Sequence, residues 1–503
     1  MRSFGFDNTY ARELPGFYAA VQPASAPAPR LLFLNEPLAL ELGLDPAALR
    51  EADGASLFAG NVLPDDAQPI AQAYAGHQFG GFSPQLGDGR ALLLGEVIDR
   101  TGRRRDIAFK GSGRTPFSRG GDGKAAIGPM LREVLIGEAM HALGIPTTRA
   151  LAVAATGEMV YREIPLPGAV LTRVAASHLR VGTFQFFASR GQLEQLRRLA
   201  DYTIARHDPE LAGAPQRELG LLRAVAQRQA SLIAQWMNVG FIHGVMNTDN
   251  MALSGETIDY GPCAFMEAYD PAAVFSSIDH GGRYAYANQP LIARWNLARF
   301  AEALLPLMAP AEDEAAIQQA VDAVMEVIDA FPSMHSAALL RGQRAKLGLF
   351  AATASDDTAD TALADDWLAL LHAQAIDFTL AWRLLADAAA GDGARLQALF
   401  ADTAPLHAWL ARWRERCARD EAAGSPGPAE RASRMRLASP WIIPRNHRVE
   451  QALNAAMHDG DLVPFEQLLA ALRRPFEDDP SLAPYAEPAP PEVTASFQTF
   501  CGT

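Results

Sequence analysis

The segment FIHGVMNTDNMALSGETIDYGP, residues 241–262, concentrates side chains that bind metal ions or move protons. Asn250 and Asp259 carry hard oxygen atoms, the ligand type that magnesium and manganese prefer. Asp249 could accept a proton from an incoming hydroxyl, or it could be a structural cap of a polar loop. The local pattern predicts a helix that ends at residues 238–240, then a loop, then a hairpin formed by MAL and TIDY.

A glycine-rich segment lies upstream, between residues 76 and 128, and contains 13 of the 40 glycines. Gly87 and Gly89, just before Arg90, would let backbone N–H groups approach phosphate oxygens. Taken alone, Gly-Asp-Gly is more typical of a tight hairpin turn. The segment contains neither GxGxxG nor a P-loop, because Ala125 stands where a P-loop has its hydroxyl.

Lys110 ends the apolar strand DIAFK, and Glu133 follows 23 residues later in the predicted helix PMLREVLIGEAM. Protein kinases place a strand lysine and a helix glutamate in this way, and their ion pair holds the lysine toward nucleotide phosphates. Any strand followed by a helix can supply such a pair. Lys110 also begins a cationic run, which is either an anion site or a solvated charged face. Glu138, on the same helix, is expected to face solvent.

Small-molecule kinases carry His-Gly-Asp, with a metal-binding Asn five residues after the Asp. Here Val245 follows His-Gly, so the usual base is missing, while Asn250 keeps the position of the metal-binding Asn. Ordinary γ-phosphoryl transfer is therefore disfavoured unless Asp249 is a relocated base. The order of Lys110, Glu133, Asn250 and Asp259 along the chain nevertheless favours a nucleotide site over four unrelated polar residues.

The elements that must position these residues divide the chain into a β-rich first part and an α-rich second part. Strands are predicted at RALLLGEVID, RDIAFKG, RALAVAATG and GAVLTRVA, and helical periodicity dominates after about residue 185. DWLALLHAQAIDFTLAWRLLADAAA is predicted to be helical, and RVEQALNAAMHDGDLVPFEQLLAALRRPF to be a terminal helical pair. TASDDTADTALADD and EAAGSPGPAERAS are predicted to be loops, and the Pro-rich DDPSLAPYAEPAPPEV an extended tail.

Composition excludes several classes of protein. The 503 residues carry a formal net charge of −14, which disfavours nucleic-acid binding. Three cysteines in so long a chain form neither a disulfide framework nor a zinc cluster. With no secretory signal and no apolar stretch of spanning length, we expect a cytoplasmic protein that binds no membrane.

The chain resembles the selenoprotein O / YdiU family over nearly its whole length. The resemblance rests on YAGHQFGGFSPQLGDGRALLLGE, DIAFKGSGRTPFSRGGDGKAAIGPMLREVLIGEAM, HGVMNTDNMALSGETIDYGPCAFM and the C-terminal Cys501-Gly-Thr. It implies an α+β, protein-kinase-like fold of two lobes, with a β-rich N-lobe and a larger α-helical C-lobe. The implied divisions are an N-terminal extension packed on the core at 1–64, the N-lobe at 65–184, the C-lobe at 185–420 and a helical C-terminal extension at 421–503.

The resemblance also implies an activity. Family members transfer AMP from ATP to Ser, Thr or Tyr hydroxyls of proteins and release pyrophosphate, with ATP flipped relative to kinases. Some transfer UMP when manganese is present. Self-modification and redox-related protein partners are expected. The alternatives are a γ-phosphoryl-transferring kinase and an inert, ATP-binding pseudokinase module.

The resemblance assigns roles to matching residues. Asp249 would be the proton acceptor, Asn250 and Asp259 would bind magnesium or manganese, and Glu133 would position the lysine. The implied nucleotide-binding residues are Gly87, Gly89, Arg90, Lys110, Asp122, Gly123, Arg173, Arg180 and Asp259.

Family redox control pairs a C-terminal cysteine, matched here by Cys501, with a cysteine downstream of Asp-Tyr-Gly. Where some relatives have that partner this chain has Phe275, and Cys263 is the nearest alternative. A regulatory disulfide is therefore disfavoured, and its pairing stays open.

Overall fold

The computed structural model describes residues 3–500 and is a mixed α/β structure. Strands dominate its first 175 residues and helices the remainder, as the sequence pattern predicts. The strands are β1 (Tyr18–Ala20), β2 (Arg30–Leu34), β3 (Ile70–Gln72), β4 (Gly76–Gln78), β5 (Gly81–Ser83), β6 (Ala91–Ile98), β7 (Arg104–Lys110), β8 (Ala125–Ala126), β9 (Arg149–Tyr161), β10 (Pro165–Ala175), β11 (Phe241–Ile242) and β12 (Ala264–Phe265).

The helices follow the same chain order, with only α1–α5 preceding the last strand of the main sheet. They are α1 (Thr9–Glu13), α2 (Glu36–Glu41), α3 (Pro46–Arg50), α4 (Ala52–Phe58), α5 (Ile127–Ala142), α6 (Val181–Ala188), α7 (Leu193–His207), α8 (Arg217–Val239), α9 (Gln289–Met308), α10 (Glu314–Leu347), α11 (Asp357–Ala373), α12 (Phe378–Ala389), α13 (Ala394–Gln397), α14 (Ala404–Ala422), α15 (Pro428–Ala438), α16 (Asn446–Asn454), α17 (Val463–Leu472), α18 (Ala483–Ala486) and α19 (Pro491–Ala495). Within residues 3–500, no helix is both long and apolar enough to cross a bilayer.

The main sheet is antiparallel and has the strand order β1-β3-β6-β7-β10-β9-β2, with β8 pairing to β10. Successive side chains of a strand point to opposite faces. On β7, Ile107 and Phe109 pack in a core with α2–α4, while Ala108 packs in the core that contains α5. Both faces of β7 are therefore covered, which accounts for its apolar run Ile107–Phe109, and Lys110 is its last residue.

Helices of the second part share the core that contains α5. Residues of α8, α9, α16 and α17 pack in this core, while α11, α12 and α14 form a separate core around Trp367, Trp382 and Trp413. Helix α8 ends where Gly240 adopts φ +73°, a conformation that glycine reaches without strain. The chain then enters β11, whose antiparallel partner is β12. This pair closes the loop that contains Asn250 and Asp259.

The predicted MAL–TIDY hairpin is wrong. Ala252 pairs instead with Arg180, and Thr257 with Thr147, as isolated bridges. Both runs therefore use partners that are distant in sequence, which local periodicity cannot reveal.

Four predictions for the helical part are corrected. Most of the acidic run TASDDTADTALADD is the start of α11, because Asp360 turns inward and pairs with Arg344 and Arg416. The helix predicted after it breaks in two, where the Asp377 carboxylate accepts a hydrogen bond from the Leu380 N–H and caps α12. Part of EAAGSPGPAERAS forms the start of α15, and the Pro-rich tail contains α18 and α19.

Two further expectations concern the terminal segments. The predicted terminal helical pair is confirmed as α16 and α17. Residues 1–64 contribute β1 and β2 to the main sheet. The domain boundaries themselves stay predictions.

Candidate functional site

A cavity of about 880 Å³ opens where the main sheet meets the loop after β11. Its walls come from the turn before β6, the end of β7, the glycine-rich loop 111–124, strand β10 and residues 245–262. Eleven of the twelve predicted site residues line it: Gly87, Gly89, Arg90, Lys110, Asp122, Gly123, Arg173, Arg180, Asp249, Asn250 and Asp259. The twelfth, Glu133, lies behind Lys110. Their proximity is a property of the structure, while their roles stay predictions.

Asp259 is the electrostatic centre of the cavity. Lys110 Nζ lies 2.6 Å and Arg173 Nη1 2.8 Å from its Oδ1, and Arg180 Nη1 lies 3.4 Å from its Oδ2. Burial alone would raise the pKa of this carboxyl, but the three cations hold its pKa well below the ordinary value. Asp259 has φ +64°, a left-handed conformation that is uncommon outside glycine. The ionised, constrained carboxylate is thus directed at the cations.

Lys110 Nζ lies between two carboxylates, those of Asp259 and Glu133. Glu133, on the buried helix α5, accepts a hydrogen bond of 2.7 Å from Lys110 Nζ and one of 3.2 Å from the Tyr260 N–H. The glutamate therefore fixes both the lysine and the backbone next to Asp259. This is the strand-lysine and helix-glutamate arrangement that the spacing predicts.

The loop after β11 is held from within. His243 is buried, stacks on Trp236, and its Nε2 lies 2.9 Å from the Ile258 carbonyl oxygen. Asn250 Nδ2 donates to the Val245 carbonyl at 3.0 Å. That bond leaves the Asn250 amide oxygen as the atom that could bind a cation. Val245, which follows His243 and Gly244, also lines the cavity.

Asp249 differs from Asp259 in its surroundings. Burial raises the pKa of Asp249 to about 6, although Arg180 acts in the opposite direction. Its Oδ1 is buried and has no hydrogen-bond partner from another described residue, while its Oδ2 accepts a hydrogen bond of 3.3 Å from Gln78 Nε2. Asp249 lines the cavity, and its raised pKa and the unfilled hydrogen-bonding capacity of its carboxylate suit a group that receives a proton.

The β4–β5 hairpin supports this loop, and sequence reasoning assigned it no role. The His77 N–H donates to Thr248 Oγ1 at 2.7 Å, and the Phe79 N–H donates to Asn247 Oδ1 at 3.2 Å. A Cβ on Gly76 would lie 2.5 Å from Asp249 Oδ1, so a side chain there would displace the carboxylate. The sequence signal for this hairpin is the run YAGHQFGG, whose glycines allow a tight turn and close packing.

The two glycine-rich segments pack on each other. Gly87 has φ +70°, and any side chain on it would overlap the Phe117 ring. Thr115 Oγ1 donates to the Asp88 carbonyl at 2.6 Å, and Ser118 Oγ donates to the Gly89 carbonyl. The Gly-Asp-Gly turn thus forms a cavity wall together with the loop 111–124.

Asp122, within that loop, is held by Arg162. Its two carboxylate oxygens accept hydrogen bonds of 3.1 and 2.9 Å from the guanidinium. Arg162 therefore ties the loop to the β9–β10 turn.

The donor set fits a magnesium or manganese ion bound together with phosphate. Residues 3–500 contain no cluster of three or more His, Cys, Asp or Glu side chains that could hold a metal. Asn250 and Asp259 supply one amide oxygen and one carboxylate. Magnesium bound by one or two protein ligands, substrate phosphates and water matches such a sparse set.

The expectation that Glu138 faces solvent is wrong. Its side chain is buried and lies 2.5 Å from Arg149 Nε and 2.7 Å from Arg473 Nη2. These arginines lower the pKa of Glu138 against the effect of burial. The glutamate links α5 to β9 and to the end of α17.

Of the cysteines, Cys501 lies outside the described residues. Cys263 is a buried thiol whose pKa is raised to about 11 by burial. Thr499, two residues before Cys501, donates its N–H to the Phe275 carbonyl at 2.8 Å. The pairing of Cys501 stays open.

Comparison with known proteins identifies the family. A family model described as protein adenylyltransferase SelO matches residues 2–473. A protein nucleotidyltransferase YdiU from Chromobacterium violaceum is 62% identical over 97% of this chain and 100% of its own length. A relative of the same name from Cereibacter sphaeroides (strain ATCC 17029 / ATH 2.4.9) is 60% identical over 100% of this chain and 100% of its own length. Another, from Rhizobium rhizogenes, is 57% identical over 99% of this chain and 97% of its own length. These matches confirm the resemblance and the predicted enzyme class, a nucleotidyltransferase. The chain belongs to the protein adenylyltransferase SelO family.

Proposed function

We propose that the chain transfers AMP from ATP to Ser, Thr or Tyr hydroxyls of proteins, itself included, and releases pyrophosphate. The observation that carries the proposal is that two carboxylates of one cavity have opposite pKa shifts. Asp259 is ionised among three cations, whereas Asp249 has a raised pKa and an oxygen without a partner. The family supplies the reaction class, nucleotidyl transfer to a protein.

We propose further that the fold is protein-kinase-like, with an N-lobe at 65–184 and a C-lobe at 185–420, flanked by the extensions at 1–64 and 421–503. The support is the position of the cavity, between the end of β7 and the loop after β11. The Lys110–Glu133 ion pair and the order of Asn250 and Asp259 also follow the kinase arrangement.

In this proposal ATP binds against the cationic wall. Lys110, Arg173 and Arg180 neutralise phosphate oxygens, and the turn at Gly87 and Gly89 lets backbone N–H groups approach them. Asn250 and Asp259 would hold Mg²⁺ or Mn²⁺, which when bound adds positive charge for the leaving pyrophosphate.

The oxygen of the acceptor hydroxyl attacks the α-phosphorus, and Asp249 accepts the proton that this hydroxyl loses. The bond between the α-phosphorus and its bridging oxygen breaks, and pyrophosphate leaves with the electron pair. A raised pKa suits this role, because a base whose pKa lies near the working pH accepts a proton most effectively.

The site allows two alternative functions to be compared with AMP transfer. A γ-phosphoryl-transferring kinase would release ADP instead, and Val245 at the usual base position disfavours it. An inert ATP-binding module would need neither the metal ligands nor a buried carboxylate oxygen free to accept a proton.

Product analysis separates the three functions. The enzyme would be incubated with ATP and magnesium or manganese, and pyrophosphate and ADP would be quantified together with modified protein. AMP transfer predicts pyrophosphate in proportion to modified protein, and its loss in Asp249→Asn and Asp259→Ala. ADP in the same proportion would establish the kinase. Neither product, with ATP still stabilising the protein against heat, would establish the binding module.

A further inference from the structure

His178 lies behind the cavity, between a buried carboxylate and a cavity arginine. Its Nδ1 is 2.9 Å from Asp106 Oδ2, and its Nε2 is 3.2 Å from Arg173 Nε. The His178 backbone N–H donates to the same Asp106 oxygen at 2.8 Å. All three side chains are buried, and His178 is not among the residues that line the cavity.

These contacts define which ring nitrogen carries the proton. The Arg173 Nε–H can only donate a hydrogen bond, so His178 Nε2 must accept it. The proton then resides on Nδ1, where it is donated to Asp106. A doubly protonated ring would place two N–H groups against each other at Nε2. His178 is therefore a neutral ring with a defined tautomer.

The charged groups around His178 favour the same state. Asp106 on β7 is the only carboxylate in direct contact among the described residues, and its other oxygen pairs with Arg206 of α7 at 2.6 Å. Arg173 of β10 and Arg180, at the start of α6, oppose a positive charge on the ring. Burial and these arginines lower the pKa of His178 despite Asp106.

The chain of contacts ends in the cavity. Arg173 uses Nε for His178 and Nη1 for Asp259, so two acceptors on different edges fix the plane of its guanidinium. We propose that His178, oriented by Asp106, is a positioning residue that holds Arg173 ready for nucleotide phosphates. This inference rests on the proposed function. An arginine ordered before binding loses less entropy when it meets its ligand.

Two substitutions separate positioning from support of the fold. His178→Asn keeps a donor near the Nδ1 position for Asp106 but has no atom at Nε2. His178→Gln extends an amide oxygen to the Nε2 position and gives up the bond to Asp106. Positioning of Arg173 predicts that Gln is the better replacement, whereas a purely structural role predicts Asn.

The measurements are ATP affinity by calorimetry and kcat/KM for ATP in AMP transfer, with melting temperatures to verify folding. We expect His178→Asn to lose roughly 10- to 100-fold in both quantities, the usual effect of removing a hydrogen bond to a charged group. We expect His178→Gln to stay within about threefold of the unsubstituted protein. Equal losses in both variants, or a larger loss in Gln, would overturn the proposal.

Controls keep this result independent of the proposed reaction. His335, buried on α10 and absent from the cavity lining, provides matched Asn and Gln variants that should leave ATP affinity unchanged. If the unsubstituted protein bound ATP but transferred no AMP, the proposed function would fail, while the affinities would still test His178. ¹⁵N spectra of histidine-labelled protein offer a further measurement. A neutral Nδ1–H ring that is lost in His178→Gln supports the proposal, and an Nε2–H ring contradicts it.

Discussion

Gly76→Ala should disable the enzyme chiefly by a steric effect on Asp249. Gly76 begins β4 with a negative φ, so alanine meets no backbone strain there. The added Cβ would lie 2.5 Å from Asp249 Oδ1 and 2.9 Å from Leu86 Cδ1. Leu86 can move its flexible end, but Asp249 Oδ1 is buried against the hairpin.

The size of the effect follows from the overlap. Ordinary contact begins at 3.4 Å, so the carboxylate oxygen must move by about 0.9 Å. A misplacement of about 1 Å in a reacting group costs roughly 100-fold in rate. We therefore expect kcat for AMP transfer to fall roughly 30- to 100-fold. ATP affinity should change little, because Gly76 does not line the cavity.

The assay is transfer of label from α-labelled ATP at saturating nucleotide. Gly81→Ala is the matched control, because it makes the same substitution on the same hairpin, where the nearest atom lies at 3.5 Å. A Gly76→Ala enzyme within twofold of the Gly81→Ala enzyme would refute the assignment of Asp249 as the proton acceptor.

Three further predictions concern buried charges. Glu133→Gln should raise KM for ATP roughly 3- to 10-fold with a smaller change in kcat, since Lys110 loses one of its two carboxylates; steady-state kinetics checks this, and an unchanged KM contradicts it. Glu138→Gln should lower the free energy of unfolding by about 1–3 kcal/mol in denaturant, because two arginines lose their anion. An unchanged free energy of unfolding would instead support a glutamate that faces solvent. Lys346→Met should remove a pH-dependent part of the unfolding free energy, because burial lowers the pKa of Lys346 from 10.5 to about 7. Between these values unfolding takes up a proton, so stability rises with pH in the unsubstituted protein. Between pH 10.5 and pH 7 the difference in unfolding free energy should change in favour of the Met variant by as much as about 5 kcal/mol, and a pH-independent difference contradicts this.

Much of the site could be predicted because its signals are local in sequence. Strand β7 is an apolar run that ends in Lys110, and α5 places Glu133 after it with the spacing that the ion pair needs. Asn250 and Asp259 belong to one short loop whose residue types suggest a metal. Predicting these positions requires only the local residue types and the order of the elements along the chain. The structure places Lys110, Asn250 and Asp259 in one cavity.

What could not be predicted depends on contacts between distant segments. Glu138 was expected to face solvent because nothing near it in sequence indicates Arg473, 335 residues away. Asp360 belongs to an acidic run that is typical of a loop, yet it is buried by Arg344 and Arg416. The close approach of Gly76 to Asp249 and the contacts of His178 with Asp106 and Arg173 likewise join residues of different elements. The capping of α12 by Asp377, in contrast, has a local sequence signal, because Asp is a common N-cap residue.

In the proposed reaction the α-phosphoryl group, with its nucleoside, moves to protein. The direct measurement incubates the protein with magnesium or manganese and ATP labelled at either the α- or the γ-phosphate, with Asp259→Ala as the control. Transfer of AMP predicts protein-bound label only from the α-position, and none in the control. Protein labelled only from the γ-position would contradict it and establish a kinase that uses Asp249 as its base.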